Sequence, residues 1–508
     1  MSERHESGES GVRAVGAYLP RLRVSPDELA AGWGRDPAGV TRAIPDTDED
    51  ALTMAVAAGR RALEAAGVEA ASVDRLVLAT TSPPVEEGAL ATRLGAALGI
   101  GEATPRSART ADTAAGVRAL RDAAGRTTRS LVVAADCPRG APDGMREGVA
   151  GAGAAAMLLD PDASSLRVVE TAEANPAYPG TRFRRGGDDT VDGVEITAYD
   201  RTALRETMAA AAAGMDMAVD AAAVQAPSPD YPARASEPLG VPDAVVDAGT
   251  VVDGVGDAGA ASVPLSLALA LAGVDPLAPG ESSPENESGD DSPERLLAAG
   301  YGGDGAALLR LERTDALPTS VDVWPPREVD FAGYLRRRSD VVSDAPAGGG
   351  AHVSVPVWRR SLPQRYRLVA GRCPDCAAVG FPPGGACDDC GALAEDDPVE
   401  LAHEGVVETA ATVAQGGAPP EFREYQRRVG AGYTTAIARF RAAGGGEASV
   451  PLLVVDDGRS VSERRSEGDD AERRPLRVGA PVETVFRRIY TQAGVTRYGT
   501  KLRPTRET

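Results

Sequence analysis

Val73-Asp74-Arg75-Leu76-Val77-Leu78 and, further along, Val219-Asp220-Ala221-Ala222-Ala223-Val224 read as one stretch written twice. Each closes on an apolar run short enough for a buried strand. Ser-Pro follows in both, at Ser82-Pro83 and Ser228-Pro229, then a helical pattern, then Leu98-Gly99-Ile100 or Leu239-Gly240-Val241. Gly153-Ala154-Ala155-Ala156-Met157-Leu158 likewise matches Gly305-Ala306-Ala307-Leu308-Leu309. An offset of roughly 150 residues is too long for a solenoid unit and suits two halves of one pseudo-twofold domain.

Helix and strand patterns alternate around these repeats. Asp46, Asp48 and Asp50 offer N-capping carboxylates to a helix with Leu52, Val56 and Leu63 on one side and Gly67 at its end. Segments 90–98 and 113–124 read as helices, and 76–79 and 131–135 as buried strands, which predicts an α/β body with parallel strands. The longest apolar stretch, 262–274, is too short to cross a bilayer and suits a buried helix. Segment 276–293, rich in Ser, Pro and acidic residues, reads as a solvated loop, and 345–350 as a flexible linker. Beyond it the pattern turns β-rich, at 406–413, 434–440, 450–455 and 482–489, as in a small barrel.

The 508 residues carry a net charge of −21, and Lys501 is the only lysine among 54 basic residues. Such a field repels phosphates and argues against nucleic acid or an anionic membrane as the main partner. An acidic, Arg-dominated composition suits a high-salt cytoplasm, where screening weakens self-repulsion. The polar start MSERHESGES lacks an apolar core for a secretory signal, so a cytoplasmic protein is expected. The three histidines are His5, His352 and His403, so no imidazole lies between positions 6 and 351.

Four of the five cysteines fall at Cys373, Cys376, Cys387 and Cys390, in the spacing C-x2-C-x10-C-x2-C. Each C-x2-C puts two thiolates on one turn, and two such turns complete a tetrahedral zinc site. Four sulfurs leave no open position for water, so the zinc is structural. Zinc ribbons with small barrels often bind nucleic acid, and Arg359, Arg360, Arg365, Arg367 and Arg372 lie beside Trp358 and Tyr366. The charge of the chain opposes that reading, and a phosphorylated cofactor such as CoA explains the same cluster. Gly300-Tyr301-Gly302-Gly303-Asp304-Gly305 matches G-x-G-x-x-G, but a dinucleotide site needs a strand before it and a helix after it. Here 294–299 reads as helix and 306–311 as strand, so the match is set aside in favour of a tight glycine turn.

Residues 11–312 resemble the thiolase superfamily, most closely the archaeal type of 3-hydroxy-3-methylglutaryl-CoA synthase. The resemblance rests on Gly11 to Pro20, Glu49 to Ala55, Thr80-Thr81-Ser82-Pro83, Ala115-Gly116-Val117, Ala226-Pro227-Ser228-Pro229, Gly256 to Ser262 and the Gly302 to Gly305 turn. Residues 355–505 resemble an acyl-CoA-associated family with a zinc ribbon and an OB fold, through Pro356-Val357-Trp358-Arg359, Gln364-Arg365-Tyr366, the four cysteines, Phe381-Pro382-Pro383 and Gly479 to Val482. The resemblance implies a five-layered α-β-α-β-α thiolase fold with duplicated halves at 11–175 and 176–312. A linker at 313–354, a ribbon segment at 355–398 and an OB-fold barrel at 399–508 follow. It also implies a homodimer and a possible thiolase or synthase subunit as partner.

The family's reaction is a Claisen-type condensation on acyl-CoA, with a cysteine nucleophile, a glutamate acid/base, and a histidine and an asparagine lining the site. Carried over by position, these become Thr110, Thr81, Gln225 and Asp257, so every reactive group is replaced. Cys137 follows a predicted strand and is a candidate substitute, but without a nearby imidazole it reads as a packed thiol. Thr110 or Thr113 would need Asp112 or Asp257 as base. Trp358, Arg359, Arg365 and Tyr366 are the candidate CoA-facing residues. The expectation is a CoA-thioester-binding, catalytically diverged homologue that acts as partner or scaffold. An active acyltransferase with non-standard residues stays open beside it, as does a nucleic-acid-binding zinc ribbon.

Overall fold

The computed structural model describes residues 5–6, 10–34, 39–110, 112–194, 197–225, 228, 230–278, 286–287, 293–303, 305–338, 360–393, 395–413, 432–455, 476–492 and 495–505. Trp358, Arg359, Asp304, Pro227, Pro229, the 345–350 linker and most of 276–293 lie outside them. Two compact units result: Met1–Pro45 with Asp50–Phe331, and Asp46–Glu49 with Ala332–Thr508.

The sequence repeat becomes a structural one in the first unit. Arg75–Ala79 runs parallel to Ser130–Asp136, which pairs antiparallel with Gly153–Asp160, and that strand pairs antiparallel with Gly11–Leu19. In the second half Ala221–Val224 runs parallel to Arg295–Gly302, which pairs antiparallel with Gly305–Arg313, itself antiparallel to Leu166–Ala174. The halves join where Gly11 and Val12 pair with Arg167 and Leu166. The sheet is therefore mixed, where the sequence suggested parallel strands. A fully buried apolar run looks the same in either orientation, and only the pairing partner decides.

Five layers follow from which helices are buried on one side and which on both. Ala51–Ala66 and Leu90–Leu98 cover the first half's outer face, and Thr197–Ala212, Tyr231–Leu239 and Asp243–Gly249 cover the second half's. Ser262–Ala272 is buried almost all round, as a helix without a polar face must be, and it shares one core with Ala115–Ala124 and strands of both halves. These two helices form the middle layer. Asp50 caps Ala51–Ala66 in a capping box with Thr53, whereas Asp46 and Asp48, expected to share that role, pair with Arg337 and Lys501 inside the second unit.

Two further expectations change. Arg295–Gly302 is a strand, so the glycine match joins two antiparallel strands and still opens no helix for a pyrophosphate. Within 313–354, Pro318–Val323 runs parallel to Gly11–Leu19 in the sheet, and Phe331–Arg338 is helical.

In the second unit Asp397–Val413 pairs with Tyr433–Ala442, and Tyr433–Ala442 with Glu447–Leu453. Pro481–Gln492 pairs with both Asp397–Val413 and Val495–Pro504. A parallel bridge from Val454 to Leu502 closes the cycle, so five strands surround a core of Leu401, Val407, Ala438, Phe440, Val450, Val482 and Leu502. Among the described residues no helix is long and apolar enough to cross a membrane.

Candidate functional site

Three of the four positions singled out in the first unit converge. Strand Arg75–Ala79 ends at Thr80-Thr81-Ser82, and the neighbouring Ser130–Asp136 ends at Asp136, a fully buried carboxylate. Asp136 Oδ1 accepts from Thr80 Oγ1 at 3.2 Å, from the Ser82 amide at 2.7 Å and from Ser82 Oγ. Its Oδ2 accepts from the Thr81 amide at 2.8 Å, Thr81 Oγ1 at 2.7 Å and the Ala260 amide at 2.8 Å. Six donors converge on its two oxygens, so this carboxylate holds a turn. The Thr81 hydroxyl is spent on it.

Asp257, also buried, is the second centre. Its Oδ1 accepts from Gln225 Nε2 at 3.3 Å, the Gly259 amide at 3.0 Å and Ser262 Oγ at 3.2 Å, and its Oδ2 faces the Arg182 guanidinium in an ion pair. Gly259 links the centres: at φ 50° it turns the chain so that its amide meets Asp257, and a Cβ there would overlap the Asp136 carboxylate. Gln225 Nε2 also donates to the Gly259 carbonyl at 3.0 Å. Both neighbours of that atom are acceptors only, so the amide orientation is fixed by chemistry, and Gln225 Oε1 is the atom left without a partner.

Of the remaining positions, Cys137 borders the Asp136 centre. Thr110 is exposed between Arg106–Arg109 and Ala115–Ala124, Thr113 Oγ1 donates to the Tyr301 carbonyl, and Asp112 is paired with Arg118. Cys137 Sγ lies 3.8 Å from Ser82 Oγ, whose proton goes to Asp136; burial, with Asp136 and Asp50 nearby, pushes its thiol up to about 12. A raised thiol pKa means the neutral form persists across the physiological range and thiolate appears only toward that value, so iodoacetamide at pH 8 is expected to leave Cys137 unmodified. Intact mass of the zinc-loaded protein checks this, and rapid alkylation there would contradict it. Asp136 and Arg182 were not anticipated. A carboxylate closing the apolar run 130–136 was the only signal for the first, and nothing in the sequence marked the second.

In the second unit the four sulfurs lie within 4.8 Å of one another, with Cys373 to Cys390 at 3.7 Å and Cys376 to Cys387 at 3.6 Å. A zinc tetrahedron with ~2.3 Å bonds has edges of about 3.8 Å, so the cluster fits that metal. The two turns repeat each other: the Cys373 amide bonds the Ala378 carbonyl and the Ala377 amide the Cys373 carbonyl, as Cys387 and Gly391 do one knuckle later. Amides of Ala378, Asp389, Cys390 and Ala392 point at the sulfurs, the outer contacts that orient thiolate ligands.

The basic stretch beside the ribbon is largely committed inward. Arg367 pairs with Glu400 at 2.9 Å, and Arg372 donates to the carbonyls of Ala443 and Gly445 at 2.7 Å. Arg365 bonds Ser361, and Tyr366, expected to face a cofactor, is buried edge-on against Phe486, which stacks on Tyr498. An aromatic side chain finds more apolar area in that cluster than at a wet surface.

Comparison with known proteins follows the same division. Residues 360–395 match the family described as ChsH2, rubredoxin-like zinc ribbon domain. The hydroxymethylglutaryl-CoA synthase of Archaeoglobus fulgidus is 27% identical over 366 residues, spanning 65% of this chain and 99% of its own, and that of Methanobrevibacter smithii is 26% identical over 358 residues, with the same coverage. Among solved structures, an HMG-CoA synthase complexed with CoA aligns over 68% of this chain and 95% of its own, at TM-score 0.54 and 16% identity. The Curacin pathway HMG synthase aligns over 69% and 94%, at TM-score 0.53 and 15% identity. The fold, the repeat and the four clustered sulfurs thus agree: the chain carries a hydroxymethylglutaryl-CoA synthase-like thiolase body joined to a C-terminal ChsH2-type zinc ribbon.

Proposed function

We propose that this protein binds CoA thioesters without condensing them, as a catalytically diverged homologue of the synthases that serves acyl-CoA metabolism as a partner or scaffold. The likeness of its body to synthases, one of them solved with CoA, supports the ligand class. The observation that carries the loss of chemistry is Gln225. Where the resemblance places a histidine, this side chain turns its only donor toward Asp257 and Gly259 and leaves an acceptor behind. A condensing site must stabilise a developing oxyanion with donors, and an acceptor there does the opposite. Thr81, at the glutamate position, is likewise fixed on Asp136.

The closed strand cycle supports reading 399–508 as an OB barrel, and Trp358, Arg359 and Arg365 stay the candidate CoA-facing residues. Two duplicated halves, expected at 11–175 and 176–312 but with Leu166–Ala174 paired into the second, a homodimer and a high-salt cytoplasm complete the reading. One observation favours the active alternative: Asp112 Oδ1 is buried and unpaired close in sequence to Thr110 and Thr113. The purified full chain with acetyl-CoA and acetoacetyl-CoA in molar salt decides between them. No release of free CoA, no acyl adduct by intact mass and micromolar thioester binding are expected. Turnover that disappears on replacing Thr110, Asp112, Gln225 or Asp257 would overturn the proposal.

A further inference from the structure

Asp257 joins two side chains that each keep one polar atom without a partner. Gln225 gives Nε2 to Asp257 and Gly259 and is left with Oε1, an acceptor. Arg182 gives Nη1 to the other carboxylate oxygen and is left with Nη2, a donor. Both orphaned atoms are buried, and Gln225 is 1% exposed. Buried polar atoms are nearly always satisfied in folded proteins, so an unpaired acceptor and an unpaired donor on either side of one carboxylate mark a place where a ligand supplies the complements.

Building on the CoA-thioester reading above, we propose that this pair of unpartnered atoms selects acyl groups that bring a hydrogen-bond donor and an acceptor together, namely 3-hydroxyacyl thioesters, over 3-oxoacyl ones. The 3-hydroxyl donates to Gln225 Oε1 while the thioester carbonyl accepts from Arg182 Nη2. A 3-oxo group brings only lone pairs to Gln225 Oε1 and leaves that acceptor buried and opposed. Sites built around a buried polar group discriminate most strongly against the analogue that cannot pair with it. The orientation of Gln225 cannot reverse to rescue the keto ligand, because its donor would then abandon two acceptors, Asp257 and the Gly259 carbonyl.

Titration calorimetry of the full chain with 3-hydroxybutyryl-CoA, butyryl-CoA and acetoacetyl-CoA tests this. The hydroxyacyl thioester is expected to bind about five- to tenfold tighter than the oxoacyl one, the worth of one hydrogen bond. In Gln225→Met the affinities are expected to converge to within about twofold, since the acceptor is gone. Equal or reversed affinities in the unmodified protein overturn the inference while leaving CoA-thioester binding intact. That result is what a donor from the pantetheine arm, common to all three ligands, would give. Absence of binding by all three overturns the CoA-thioester reading and this inference with it.

Discussion

Replacing Cys390 by Ser is expected to release the zinc, about one per chain in the unmodified protein, and to unfold the ribbon around it. The segment 373–393 buries little: Cys373 is its one buried residue, Val379 and Phe381 pack only partly against the barrel core, and Leu393 is largely exposed. Its two knuckles meet at the sulfur cluster. Structural zinc binding in such modules is worth roughly 10–16 kcal/mol at neutral pH and is folding free energy outright. A serine hydroxyl is a poor replacement for thiolate, so the site falls to three ligands. Metal analysis should drop to near zero in Cys390→Ser, and amide exchange across 373–393 should accelerate. Cys137→Ser should retain its zinc. Undiminished protection in a metal-free protein would refute the structural role.

The second large effect is expected at Lys501, the chain's only lysine. Its ammonium is fully buried and donates to Asp48 Oδ2 at 2.7 Å, a partner 453 residues away in sequence, and Arg487 faces Asp48 at 3.7 Å and Glu49 at 2.9 Å. Removing one member of a buried pair leaves an uncompensated charge and costs about 3–5 kcal/mol, so Lys501→Met should lower the denaturant midpoint of the second unit sharply. The double variant Lys501→Met with Asp48→Leu should recover much of that loss, because an apolar pair carries no desolvation cost. Burial alone would raise the Asp48 carboxyl, and Lys501 with Arg487 reverses this and holds it below the ordinary carboxylate range. A depressed carboxylate contributes stability that is complete above its unfolded value and disappears as pH falls through the folded one. The pair should therefore persist through mild acid and fail only below the range where free aspartate protonates. A midpoint unchanged in Lys501→Met would show that the pair is energetically neutral.

The sequence went furthest where local pattern suffices. The repeat of 73–78 in 219–224 corresponds to strands Arg75–Ala79 and Ala221–Val224, each at the same place in its half of the sheet. The helix at 262–274 could be read as buried because it has no polar side to expose. Strand direction was not readable, since Ser130–Asp136 and Gly153–Asp160 are buried throughout and orientation depends on long-range pairing. Asp46, Asp48 and Asp50 look alike before a helix, yet only Asp50 caps it; the other two are claimed by Arg337 and Lys501, which no local window contains.

For function the division is the same. The sequence by itself determined that no histidine lies between positions 6 and 351 and that four cysteines stand at zinc spacing, because these are matters of residue identity and short-range spacing. Only the tertiary structure decided which partners the candidate site residues take. It turns Thr81 onto Asp136, points the donor of Gln225 at Asp257, buries Tyr366 against Phe486 and brings Arg182 to a carboxylate 75 residues away. Hydrogen bonds act over about 3 Å, and which groups come within that reach is settled by packing between segments far apart in the chain.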